Sequence, residues 1–264
     1  MACGRSGYRS RMPITYARRL TGTVRTRRDD LHLGVGLAFV AGATNAGAFV
    51  AVSQYTSHMT GIVSSMADAM VFGQTDVVLT GVGALMAFTL GAATTALLVN
   101  YARRRGLSSA FALPLLLEAA LLLVFGFLGA RLELVHGMYV PATVSLLCFT
   151  MGLQNAVITK ISKSEIRTTH VTGIVTDIGI ELGKYLYVNR HEIAGEPRVM
   201  ADRNRMRMLV LLLGAFFSGG VIGAIGFRAI GYSTTVPLAL VLLTLAAVPA
   251  VDDVRNAFRD DRDN

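Results

Sequence analysis

Apolar residues dominate eight successive stretches of this 264-residue chain, at about 31–51, 58–72, 76–101, 111–130, 138–159, 168–187, 206–228 and 232–250. A helix needs about 20 such residues to cross a bilayer, and six of the stretches reach that length. Composition removes the alternatives. Only 16% of residues are charged, against roughly a quarter in a globular domain. A hydrophobic share of 53% is too high for a disordered chain. Cys3 and Cys148 are the only cysteines, so a disulfide scaffold is excluded. The net charge of +8 would suit nucleic acid, but such a binder has no use for continuous apolar segments, and no nucleic-acid partner is expected. The expected fold is all-α, a polytopic membrane protein whose partner is the lipid bilayer.

The second and sixth stretches break the pattern. The second is short and carries His58, Ser64, Ser65 and Asp68; the sixth carries His170, Asp177, Glu181 and Lys184. Ionisable groups at membrane depth are costly and mark functional candidates. Trp is absent, and Tyr55, Tyr101, Tyr139, Tyr185, Tyr187 and Tyr232 fall near proposed segment ends, where interfacial aromatics sit.

The chain also repeats itself. Ser57-His58-Met59-Thr60-Gly61-Ile62-Val63 recurs as Thr169-His170-Val171-Thr172-Gly173-Ile174-Val175, and Gly42-Ala43-Thr44-Asn45-Ala46 as Gly152-Leu153-Gln154-Asn155-Ala156. Downstream, Phe88-x-x-Gly91 matches Phe216-x-x-Gly219, and Pro114-Leu115 matches Pro237-Leu238. Four matches in one order define a membrane domain over 31–250 with two four-segment halves, 31–130 and 138–250. Arg27-Arg28 before the first apolar run resembles a twin-arginine export signal, but segment one is the counterpart of segment five and is expected to be retained.

Basic residues orient the halves. If segments two and six enter and leave on one face, 23 of the 25 Lys and Arg residues fall on one side, with Arg131 and Arg228 opposite. With eight full spans, Arg103-Arg104-Arg105 fall on the wrong side. The expectation is six transmembrane helices plus two short re-entrant or broken helices, in two inverted 3+3 repeats. The basic tail 1–30 and the charged tail 251–264 are then cytoplasmic, and the protein is a multi-pass protein of the inner cell membrane. Two short spanning helices with polar packing faces are the competing arrangement.

Met151-Gly152-Leu153-Gln154-Asn155-Ala156 followed by Arg167-Thr168-Thr169-His170-Val171-Thr172-Gly173 resembles the second-half signature of the YoaK-like family, an uncharacterised group of bacterial membrane proteins. Ser57-His58-Met59-Thr60-Gly61 resembles its first-half signature, and the likeness spans about 31–250. Many members carry an acidic residue where this chain has Thr44-Asn45. The resemblance implies a multi-span membrane protein and no particular activity.

The candidate chemistry follows the repeat. His58 and His170 are mates; they either face a solute or proton path near the midplane, or tie the halves together by hydrogen bonds. On a helix, His58, Gly61, Ser65 and Asp68 share one face, as do His170, Gly173, Asp177 and Glu181. Thr60 and Thr172 are expected N-caps of half-length helices; they either only cap, with no ligand, or present positive helix ends that favour a small polar or anionic solute. Asn45 and Asn155 sit among glycines, at helix breaks or as polar glue between helices. Glu118 must face protein, water or the near interface; snorkelling to the cytoplasmic edge is its simplest reading. Gly83-x-x-x-Ala87-x-x-x-Gly91 and Gly219-x-x-x-Gly223 are rows for close helix packing. Two His and two carboxylates suit a metal by residue type but lack tight ligand spacing, so no metal is expected, and neither cofactor nor enzyme activity is expected. A small-solute transporter or channel-like protein is the leading expectation and a non-transporting scaffold or regulator the alternative; a wet cavity between the polar stripes would favour the first, a dry, packed centre the second.

Overall fold

The computed structural model describes residues 27–107, 110–132, 139–161, 169–188 and 198–246. Residues 1–26, the 251–264 tail, Lys163 and Arg167 lie outside the described residues. Every regular element within them is helical: α1 Arg27–Val52, α2 Met59–Val71, α3 Thr75–Arg104, α4 Ala112–Leu132, α5 Tyr139–Ile161, α6 Val171–Leu186, α7 Arg203–Ile230, a 3-10 turn Gly231–Thr234, and α8 over 235–246. Five helical stretches among the described residues are long and apolar enough to cross a membrane. Length and composition are those of a multi-pass membrane protein.

The fifth stretch, Arg203–Ala246, covers 44 residues, yet it is not one straight helix. Residues 226 and 234 would lie about 12 Å apart along an unbroken helix. Instead, a Cβ placed on Gly226 would be 2.7 Å from Thr234 Cγ2. Gly231 makes the reversal at φ 60, a conformation that costs glycine little. α8 therefore runs back along α7, and Leu245 arrives beside Gly36 near the start of α1.

Close contacts give the other directions. α7 is parallel to α1, since Gly219 meets the Phe39 backbone, Gly223 meets Ala43, and the Phe227 ring covers Gly47. α4 is antiparallel to α8, with Gly126 against Thr235 and Gly129 against Tyr232. α3 is antiparallel to α4, whose start lies beside the end of α3, with the Arg103 guanidinium 5.8 Å over the Phe111 ring. α5 is parallel to α3, with Gly91 against the Phe149 backbone and the Thr95 hydroxyl donating to the Leu153 carbonyl at 2.9 Å. Hence α1 and α3 run in opposite directions, and so do α5 and α7. The short helices α2 and α6 each lie between two long helices that run opposite ways.

Two crossings hold the assembly together, and they are built alike. In the first, Gly42 abuts the Phe216 backbone and Gly219 the Phe39 backbone. In the second, Gly152 abuts Phe88 and Gly91 abuts Phe149. The two crossings use the same residue types in the same order along the sequence. Gly83 has no neighbour that an added Cβ would touch, so the expected glycine row is used at Gly91 and not at Gly83. Missing side chains let the backbones approach, which substitutes for the hydrophobic drive that lipid cannot supply between helices. The fully buried Leu33, Leu37, Leu115, Leu122, Phe125, Leu147 and Leu153 form the main core. Ile62, Ala84, Val144 and Cys148 form a small second cluster that anchors α2 to α3 and α5. Outward residues such as Leu97, Phe127 and Phe217 are large, apolar and exposed, as a lipid-facing surface requires.

Candidate functional site

α1 ends at Val52, and Ser53 takes φ 52, a left-handed conformation that costs a non-glycine residue about 1–2 kcal/mol. The chain then doubles back along α1. The Ser57 hydroxyl donates to Asn45 Oδ1 at 3.0 Å. Asn45 precedes the end of α1 by seven residues, so α2 starts about 10 Å in from that end. The second half does the same: the Thr169 hydroxyl donates to Asn155 Oδ1 at 2.6 Å, about 9 Å in from the end of α5. The two asparagines hold the starts of the short helices at depth. At 13 and 16 residues, α2 and α6 are about 20 and 24 Å long, shorter than a ~30 Å hydrocarbon core.

His58 and His170 occupy the N-cap positions. Their carbonyls accept the first helical bonds, from Ile62 N–H at 3.2 Å and Ile174 N–H at 3.1 Å. Each ring folds over its own helix onto Gly61 or Gly173, where any Cβ would collide with the imidazole. This accounts physically for the repeated His-x-x-Gly spacing. Thr60 and Thr172 are corrected from cap positions to the second residue of each helix, because the helices begin at Met59 and Val171.

The two helix starts share one cavity of about 860 Å³. Its walls include five pairs of residues from the matching sequence blocks, Asn45 and Asn155, Ser57 and Thr169, His58 and His170, Thr60 and Thr172, Phe88 and Phe216, together with Tyr55 and Thr159. The first turn of any helix leaves backbone N–H groups without intrahelical acceptors and carries the positive end of its dipole. Here two such ends border the same space, with hydroxyls, amides and imidazoles between them. The chamber can solvate a small polar or negatively charged species.

The remaining candidates lie elsewhere. Asp68 is exposed near the far end of α2. Glu181 lies ten residues beyond Val171, about 15 Å along α6. It is buried, accepts from Lys184 Nζ at 2.8 Å and from the Asp202 N–H at 2.8 Å. Asp177 pairs with Arg205 at 3.1 Å. The expected polar face of α6 is therefore divided: its start borders the cavity, and its later turns fasten α6 to the start of α7. Asp202 completes that junction by accepting from Asn204 and Arg205 N–H groups at 2.9 and 3.1 Å. Asp202→Ala is expected to cost about 1 kcal/mol, the usual value of an N-cap, and Asp202→Asn to cost less; thermal unfolding of the purified protein measures both.

Phe88 and Phe216 mark the repeat in sequence, and Tyr55 marks a segment end, but their place in the cavity wall depends on the helix crossings. Glu118 differs most from expectation. It is fully buried, not snorkelling, because α5 covers it with Gln154. Among the described residues, no three His, Cys, Asp or Glu side chains converge as a metal site would require.

A family model described as "Protein of unknown function (DUF1275)" matches residues 33–248, and the chain belongs to that family. The likeness to the YoaK-like group is compatible with this membership. No curated protein and no solved structure matches the chain.

Proposed function

We propose that this protein is a non-enzymatic, multi-pass protein of the cell membrane that gives a small polar or anionic solute a path across it, as a transporter or channel-like protein. The observation that carries this reading is the shared cavity at the starts of α2 and α6. Half-length helices whose positive ends meet at a midplane cavity are a recurrent transporter arrangement. Non-helical backbone such as residues 53–58 is tolerated at depth only inside protein or beside a wet cavity. A cavity of about 860 Å³ favours this over a scaffold with a dry centre.

In this reading α1, α3, α4, α5, α7 and α8 are six spans, and α2 and α6 enter from opposite faces. The opposed directions of α1 and α3 support it, because a spanning α2 would make them parallel. The same argument applies to α5, α6 and α7. The reciprocal Gly42–Phe216 and Gly152–Phe88 crossings support two inverted halves. The positive-inside rule then makes both termini cytoplasmic.

Two measurements test this. Ser53→Cys should react only with external, and Lys163→Cys only with cytoplasmic, membrane-impermeant thiol reagents; labelling of both from the cytoplasm would overturn the topology. Protein reconstituted in vesicles should pass at least one of a panel of chloride, nitrate, formate, acetate and phosphate faster than protein-free vesicles. Equal rates across the panel would remove the anion path.

A further inference from the structure

Outside the cavity, one polar group stands out. Glu118, in the second turn of α4, has zero exposure, and among the described residues neither carboxyl oxygen has a donor within hydrogen-bonding distance. Leu115, Ala119 and Leu122 around it on α4 are buried in the main core. The Gln154 side chain adjoins it from α5 and is also fully buried. Gln154 Nε2 is engaged, donating to the Leu37 carbonyl of α1 at 3.2 Å, while Gln154 Oε1 has no partner among the described residues. An ionised carboxylate would thus sit in a dry core with no hydrogen bond to hold its charge, and an unpaired ion there costs several kcal/mol or more.

Among the described residues, no cation bonds either oxygen. Arg103 is at the Phe111 end of α4, about 10 Å back along the helix, and Tyr232 packs at Gly129, about 16 Å onward. On α5, Lys160 is about 9 Å past Gln154, and Cys148 belongs to the second core cluster with Ile62 and Ala84. On α1, Asp30 and His32 precede Leu37 by about 10 and 8 Å.

We propose that Glu118 and Gln154 form an intramembrane proton-binding site. One proton removes the buried charge: the neutral Glu118 hydroxyl then has the unpartnered Gln154 Oε1 as its acceptor, and the Gln154 amide nitrogen keeps its bond to Leu37. When the proton leaves, the carboxylate draws the amide nitrogen to itself and the tie to α1 is released. The proton is thereby read as a contact between α5 and α1, one residue from Asn155 in the cavity wall. That link to a solute path rests on the reading above; the proton site does not. The repeat mates of Glu118 and Gln154 are Val241 and Thr44, so the site occurs once per molecule and breaks the internal symmetry.

Infrared difference spectra of the full chain in lipid, recorded across a pH titration, test the site directly. Wild type should show the carbonyl stretch of a protonated carboxylic acid at neutral pH, fading in alkali. Glu118→Gln should lose this band, and Asp68→Asn should keep it. Gln154→Leu, which retains Glu118, should move it toward the frequency of a carbonyl acid without a hydrogen-bond acceptor, and keeps the test open if Glu118→Gln does not fold. Absence of the band in wild type, its survival in Glu118→Gln, or an unmoved band in Gln154→Leu overturns the proposal. A band that behaves as expected in protein that passes no solute counts against the path alone.

Discussion

Gly152→Ala should destabilise the protein by about 1–3 kcal/mol, the range for overpacking a tight core. The added methyl would strike the Phe88 backbone, whose carbonyl cannot rotate away as a side chain can. To admit it, α5 must separate from α3 and give up the contacts around the crossing, including the Thr95–Leu153 bond of 2.9 Å. For a chain of this size each kcal/mol corresponds to roughly 2–4 °C in the unfolding midpoint. Gly42→Ala strikes Phe216 in the sister crossing and should cost a similar amount. The crossings share no residues, so the double variant should lose about the sum. Gly83→Ala, where nothing lies within contact, is the control and should leave the midpoint nearly unchanged. If Gly152→Ala unfolds no earlier than Gly83→Ala, the crossings do not hold the halves together.

The glycine case shows what a sequence reveals and where it stops. Small residues at four-residue spacing identify a helix face suited to close packing, but Gly83 and Gly91 stand on the same row and only Gly91 receives a partner. Which part of the row is used depends on where a helix more than 50 residues away crosses it. The half-length helices were legible because their short apolar runs, polar residues and repeated His-x-Thr-Gly break a pattern that the other segments keep. The polar face of α6 was legible as a face, yet helical periodicity carries no information on whether one neighbour or several line it. In the fold, His170 borders the cavity while Glu181 secures α7 through Asp202. Glu118 was legible as an anomaly in an apolar segment. Its burial depends on Gln154 of another helix, which local sequence does not report.

Substitution of the two histidines should separate function from folding. Each ring is exposed, borders the shared cavity and folds onto the glycine of its own first turn. His58→Ala and His170→Ala remove no buried apolar core, so each should change stability by about 0.5 kcal/mol or less, as surface changes do. Their effect on a passing anion should be much larger. A hydrogen bond to a charged group contributes about 1.5–3 kcal/mol, and each 1.4 kcal/mol is about tenfold in an equilibrium. Losing one imidazole donor should therefore weaken anion binding, and flux below saturation, by roughly tenfold to a hundredfold. The two rings hold matched positions on matched helices, so the two variants should be impaired to a similar degree. His58→Gln and His170→Gln, which restore an N–H donor, should recover part of the loss. Vesicle flux, measured beside unfolding midpoints, gives both quantities on the same preparations. Wild-type flux in both alanine variants would remove the histidines from the path and leave them as caps that start the half-length helices. Equal loss in both, at unchanged stability, would mean that the solute meets the two halves of the repeat alike.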